Sequence, residues 1–485
     1  MKNFAASVLL SLLAALVACS PQSQQTPAPA AAPEPQAEPE AVSLKKPGLD
    51  LAELDALIQR QVQDKELVGL SVGVMQDGKL VFAKGYGLAS LESRAPVTPE
   101  TMFAIASVSK QFTCAALLLL EEDNKLSLDD RVAKYDPTLT RARDISLLEL
   151  GQHVAGYPDY YPLDFVDRPM AAARPVDEIV NDYARRPLDF EPRTRWSYSN
   201  TGYLFMGRVT ERVSGQEFGE FLAQRIFKPL GMTHTGYELA RDDPRIAQGY
   251  GAFGLGKPEP AVPEGAGWVA GAGGVWSTPT DLLQWDLALM DGKVLSPESW
   301  RKMTTPRRLP DGRSSGYGCG QGLRDAGPAL VLSHSGATSG FTANNTFIPA
   351  TRSGVALMAN RDFAGLNPLR EAIVAKLLPR GDVPAIQGVD AAQAVRDFLR
   401  ELRERKVNRA NLGEEFSIYL SDARIASAAE TLSRTEPSDF EPPVLSERGG
   451  MEVSRTPFKL GATPALALMY RTPDGKVQQF LFFRQ

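Results

Sequence analysis

"ALVLSHSGATSGFTANNTFIPATRSGVALMANRD", Ala329 to Asp362, decides the fold. Its β-branched and aromatic runs end in Gly, Asn and Pro turns, which predicts consecutive antiparallel strands. A second β-rich stretch lies far upstream. "LVGLSVGVMQDGKLVFAKGYGLAS", Leu67 to Ser90, reads as a hairpin turning at Asp77-Gly78. Between the two, roughly 125–310, the periodicity is helical with long Pro- and Gly-rich loops. Strands at both ends and helices between imply an α/β (α+β) fold, an antiparallel sheet flanked by helices plus a helical domain.

Outward from that core, "LDLAELDALIQRQVQD" has helical apolar spacing with Asp50 as N-cap, and "LREAIVAKLL" is a closing helix. "STPTDLLQWDLALMDG" starts a helix with Thr278 as N-cap, Pro279 at the first position and Asp281 completing a capping box. After "PRGDVPAIQG", Pro379 to Gly388, the character changes. Residues 389–436 are helical and charged, and two β-rich runs follow, the second broken at Pro473-Asp474-Gly475. The 485 residues therefore divide into a leader at 1–18, a tether at 19–47, a main domain at 48–380 and a small α+β domain at 385–485. Helix followed by strands in this last part resembles cystatin- or NTF2-like accessory modules.

The leader is Lys2 followed by an apolar run that ends at Cys19, too short and wrongly flanked for a spanning helix. "LVAC", Leu16 to Cys19, resembles a bacterial lipoprotein box. That resemblance implies lipidation at Cys19 and, with Ser20 next, the periplasmic face of the outer membrane. The tether is rich in Pro, Ala, Gln and Glu and cannot bury a core. A net charge of −5 argues against nucleic acid as partner. The spacings needed for a metal site are missing, so no metal or cofactor is expected. Cys114 and Cys319 could pair in an oxidising compartment, but two small buried hydrophobes is the reading preferred here, and the choice stays open.

"FAIASVSKQFT", Phe103 to Thr113, sets Ser107 and Lys110 on one face at a helix start. The helix N-terminus favours an alkoxide-like serine. An amine buried beneath an apolar helix loses its proton readily, so it can accept the serine's. This spacing alone equally suits a solvated lysine after a capping serine. Two further stretches change the balance: "RWSYSNTGYLFMG", with Tyr198-Ser199-Asn200, and "LSHSGATSGF", with His334-Ser335-Gly336.

SxxK, then YxN, then KTG or HxG, in this order and with similar spacing, resembles the serine β-lactamase and penicillin-recognising superfamily. The likeness covers roughly residues 50–380 and is nearest to class C β-lactamases and related esterases, DD-peptidases and D-aminopeptidases. It implies Ser107 as nucleophile, and Lys110 or Tyr198 as base, the choice being open. A phenol near an ammonium should have a lowered pKa. Asn200 should bond Lys110 and the substrate amide, and His334 should stand at the third motif. The backbone N–H groups of Ser107 and Ala337 should form the oxyanion hole. Ser335, Gly336 and Asn360 join the substrate-binding set, with Gly336 admitting close approach.

The chain also departs from those relatives. Class C enzymes carry a lysine at the third motif, which suits a substrate carboxylate. His334 is mostly neutral, so carboxylate recognition should be weaker. Arg361 could restore some charge, though it suits a solvated edge better. In "LGQHVAGYPDYYP", His153 reads as structural, and Tyr157, Tyr160 and Tyr161 either line a substrate groove or pack the loop, packing being the preferred reading. His234 reads as a turn residue. "GYGAFG", Gly249 to Gly254, matches a dinucleotide motif in letters only and reads as a flexible loop. The expected activity is a serine hydrolase acting on esters or amides, small molecules or peptides, through an acyl-enzyme. The alternatives are a class C-like β-lactamase and a non-catalytic protein whose C-terminal domain recruits a partner.

Overall fold

The computed structural model describes residues 49–484 except 162–164, 254–255, 327–328 and 379–382. The leader, Cys19 and almost all of the tether lie outside the described residues. The main sheet has six antiparallel strands in the order Lys79–Gly87, Gly69–Gln76, Ser353–Ala359, Phe341–Ile348, Leu330–Thr338 and Gly322–Asp325. The two β-rich stretches thus meet at its centre, with Val72 opposite Leu357 and Val74 opposite Val355.

Alternation along the strands gives the sheet two apolar faces. Leu70, Val72, Val74, Val355 and Leu357 pack under the helices Leu51–Asp64 and Asn367–Leu377. Met75, Ala343, Phe347 and Met358 face the central helices instead. The helix Pro279–Met290 lies so near this second face that a Cβ on Gly73 would sit 2.9 Å from Leu283 Cδ1. The buried helix Lys110–Glu122 forms the middle of that larger core.

Several local expectations hold. Asp50 caps its helix by accepting from the Ala52 and Glu53 amides, and the hairpin turns at Asp77-Gly78. The capping box at Thr278 is only half made. Thr278 accepts from the Asp281 amide, but the Asp281 carboxylate accepts from the His234 amide and the Thr235 hydroxyl. A short side chain here stabilises a neighbouring loop rather than closing its own turn. Tyr250–Gly251 and Glu259–Pro260 pair as a two-stranded ribbon, so the Gly-rich loop is partly ordered.

The two remaining cysteines are a disulfide, Cys114–Cys319, with Cα atoms 5.7 Å apart. This corrects their reading as separate buried hydrophobes. Both are fully buried, but a separation of 205 residues hid their meeting from any local pattern.

The C-terminal residues build a core of their own, in which Val395, Phe398, Leu402, Phe458, Met469 and Phe480 pack together. The helix Ala391–Glu404 covers one face of a sheet made by Met451–Leu460, Thr463–Arg471 and Val477–Arg484, with shorter strands at its edge. Arg471 is buried and donates to Glu452 at 2.6 and 2.9 Å. A third donation, to the Val389 carbonyl, ties the incoming segment to this sheet.

Candidate active site

The strand Phe103–Ala104 pairs with Val275–Ser277 and delivers the chain into a tight turn, Ala106–Ser109, which becomes the helix Lys110–Glu122. Ala106 has φ +47°, a left-handed conformation that costs a non-glycine residue of order 1 kcal/mol. Burial on all sides holds it there, and the next residue, Ser107, is pushed out into a cleft.

Lys110 is completely buried. Its Nζ lies 3.0 Å from Ser107 Oγ, 2.7 Å from Asn200 Oδ1 and 2.8 Å from the Ala272 carbonyl. Burial pulls its pKa down to about 7, against the opposing attraction of Asp159. Two of its three neighbours can only accept, so a neutral amine spends two N–H groups on them and turns its lone pair to the Ser107 hydroxyl.

Tyr198 enters on an extended segment before the helix Asn200–Ser214. Its ring centroid is 4.9 Å from Lys110 Nζ and its hydroxyl bonds Ser107. The expected lowering of its pKa is reversed, because burial pushes the phenol up and outweighs the Ser107 bond. His153 stacks on Tyr198 at 4.3 Å, and its Nδ1 accepts from the Ser199 amide. Burial depresses it far below the usual histidine range, so it is a neutral wall.

Asn200 is fixed by a residue the sequence reading missed. Asp159 accepts from the Asn200 amide at 3.0 Å and from Asn200 Nδ2 at 3.2 Å through both oxygens. With Nδ2 held there, Oδ1 must face Lys110. Burial raises the Asp159 pKa. An aspartate in a tyrosine-rich loop carries no spacing signal, and only the folded chain brings it near Asn200.

The third motif lies on the strand Leu330–Thr338. Gly322–Asp325 pairs only with residues 330–333 of that strand, so its second half meets Ser107 with Phe341–Asn345 as its strand partner. A Cβ at Gly336 would lie 2.1 Å from the Ile105 carbonyl and 3.1 Å from the Ser107 nitrogen. The glycine serves the protein's own backbone first, setting this strand flush against the nucleophile turn, with Ser335 and Ala337 lining the cleft. His334 is buried, and its Nδ1 is 2.6 Å from the Ser335 carbonyl. Its Nε2 is 2.7 Å from the hydroxyl of Tyr317, a second residue the sequence reading missed.

Asn360 is not in the cleft, which corrects its place among the substrate-binding residues. It is fully buried, and its Nδ2 donates to the carbonyls of Leu88, Ala89 and Gln248. Its amide nitrogen is spent on joining two backbone segments, Leu88-Ala89 and Gln248. Arg361 is likewise spent on the carbonyls of Lys65 and Glu66. Tyr157 packs in the core, while Tyr160 borders the space beside Ser107 and Tyr161 reaches the cleft wall and donates to Glu264 at 2.8 Å.

The cleft over Ser107 has a volume of about 750 Å³. Trp196, Phe253 and Phe363 give it aromatic walls, and Asp159, Glu259 and Asp362 give it acidic ones. Among the described residues no lysine or arginine lines it. A small chamber of about 60 Å³ adjoins Ser107, walled by Tyr160, Tyr161, Val269 and Ala272. A cavity of about 150 Å³ holds benzene, so this one takes an aliphatic group of a few atoms. Among the described residues, no cluster of three or more His, Cys, Asp or Glu is placed to hold a metal ion.

A family model described as Beta-lactamase matches residues 54–378. The chain is 30% identical over 288 residues to the protein of Bacillus subtilis (strain 168) designated as penicillin-binding protein PbpX, covering 59% of this chain and 69% of that protein. It is 28% identical over 300 residues to a D-aminopeptidase of Gluconobacter oxydans (strain 621H), covering 60% of this chain and 55% of that enzyme. The chain therefore spans little more than half of that relative's length. Among solved structures, D-amino acid amidase from Ochrobactrum anthropi SV3, complexed with L-phenylalanine amide, superposes with a TM-score of 0.57 at 27% identity, over 67% of this chain and 98% of that one.

Proposed function

The chain belongs to the beta-lactamase family and is a serine hydrolase, and on that premise we propose that it cleaves amide and ester bonds through an acyl-enzyme on Ser107. Amides and short peptides of D-amino acids are the proposed substrates. The observation that carries the reading is the saturation of Lys110 Nζ by Asn200 Oδ1 and the Ala272 carbonyl, which leaves one direction, Ser107 Oγ, for the lone pair.

In the proposed cycle Ser107 Oγ attacks the substrate carbonyl carbon while its proton passes to neutral Lys110. The carbonyl oxygen becomes an oxyanion received by the backbone N–H groups of Ser107 and Ala337. Collapse breaks the carbon–nitrogen bond, and the proton held by Lys110 reaches the departing amine through the Tyr198 hydroxyl. Water then repeats the attack on the ester and restores the serine. Lys110 is the better base, since burial lowers the ammonium to about 7 and raises the phenol. The small chamber takes the acyl side chain and the larger cleft takes the leaving group. The names of the aminopeptidase and amidase relatives support the D-amino-acid assignment. We also read Cys19 as a lipid attachment site holding the enzyme at the periplasmic face of the outer membrane, on its sequence alone.

Intact-mass spectrometry after a fluorophosphonate probe tests the nucleophile. One adduct on the wild type and none on Ser107→Ala is expected, and an unlabelled wild type would sink the reading. D-Alanine p-nitroanilide should be hydrolysed faster than nitrocefin, whereas the reverse order would make the protein a β-lactamase.

A further inference from the structure

His334 occupies the place where class C relatives hold a cation, and its hydrogen bonds fix its charge. The Ser335 carbonyl can only accept, so Nδ1 carries a proton and donates to it at 2.6 Å. In neutral imidazole Nε2 is then a lone pair, and the Tyr317 hydroxyl at 2.7 Å donates its proton there. Both ring nitrogens are occupied without any charge on the ring. We propose that Tyr317 is a specificity-determining residue: it holds His334 in the uncharged Nδ1–H form, so that the cleft takes neutral or cationic amides and rejects substrates with a carboxylate on the leaving group. This rests on the amidase reading above and names the substrate class of the same site.

The surroundings act in the same direction. The groups that face His334 are Lys110, His153, Tyr198 and Tyr317. No carboxylate is among the groups acting on the ring, while burial and the Lys110 charge bring its pKa down to about 3. The cleft beyond is lined by Asp159, Glu259 and Asp362, which repel an anion and attract an amine. Tyr317 itself is buried, tilted against the His153 ring with centroids 4.7 Å apart, and lies two residues before Cys319, whose disulfide anchors the segment to the Lys110 helix. The one arrangement that opposes the proposal is an imidazolium donating from Nε2 to Tyr317, with Tyr317 passing its own proton to the neighbouring Tyr203 oxygen.

Nitrogen-15 NMR of the histidine side chains separates these states. The chain has three histidines. His334→Gln identifies the His334 signals among them. The wild type should show His334 as the Nδ1–H tautomer, unchanged from pH 8 to pH 5. Titration in that range, or an imidazolium signal, would overturn the proposal whether or not any substrate is cleaved. In Tyr317→Phe the apparent pKa of His334 should rise by about one unit, the effect of losing one hydrogen bond to the neutral form. The kinetic arm compares D-Ala-D-Ala with its C-terminal carboxamide. The wild type should favour the carboxamide at least tenfold in kcat/KM. Tyr317→Phe should narrow that ratio only as the pH falls towards 4, where its imidazolium becomes populated, and not at pH 8, whereas His334→Lys should narrow it at both. A ratio unmoved in both variants would sink the specificity role. Failure to cleave either dipeptide, with the tautomer as stated, would count against the amidase reading instead.

Discussion

At the scale of single residues, reactivity here depends on where solvent is excluded. Lys110 stands one turn from Ser107 in sequence, but its pKa follows from complete burial and from Asp159, which the sequence motif does not contain. The acid limb of kcat/KM should therefore fall near pH 7. Asp159→Asn removes an anion that raises the Lys110 pKa, so that limb should move to lower pH while kcat drops about 10- to 100-fold as Asn200 loses its anchor. A pH–rate profile of the two proteins checks both signs, and an unmoved limb would detach Asp159 from Lys110. The same shift has a stability sign. The folded-state pKa lies below the unfolded value of 10.5. Between about 7 and 10.5 the unfolded chain holds the extra proton, so this group's contribution to stability rises with pH across that window.

At the scale of elements, two long-range contacts bring the motifs together. Gly336 lets the third-motif strand lie against the nucleophile turn, and Cys114–Cys319 ties the helix after that turn to the Tyr317 segment. Closing a loop across 205 residues restricts the unfolded chain by about 5 kcal/mol in the loop-entropy model. Reduction by dithiothreitol, or Cys114→Ala with Cys319→Ala, should lower Tm by several degrees under calorimetry. A Tm indifferent to reductant would show that the bridge adds no stability. Neither device could be decided locally: a glycine in a strand does not show what approaches it, and two cysteines in separate apolar stretches left pairing an open choice.

At the scale of the whole molecule, the described residues form distinct hydrophobic clusters, and the one around Phe398, Phe458 and Phe480 draws on residues 395–480 alone. Ser107, Lys110, Tyr198 and His334 all lie among or beside the first cluster. A chain ending at residue 380 should therefore still be labelled at Ser107, with a rate within about threefold of the full chain. Loss of labelling in a folded fragment, judged by circular dichroism, would give the C-terminal domain a part in the site.

The sequence by itself determined the periodicity of the sheet and helices, the hairpin at Asp77-Gly78 and the three motifs at Ser107, Tyr198 and His334, because each is written in neighbouring residues. The tertiary structure decided the rest. It removed Asn360 from the cleft, paired the cysteines, reversed the direction expected for the Tyr198 phenol and added Asp159 and Tyr317. Those outcomes depend on desolvation and on distances between residues far apart in the chain, and neither quantity exists until the chain has folded.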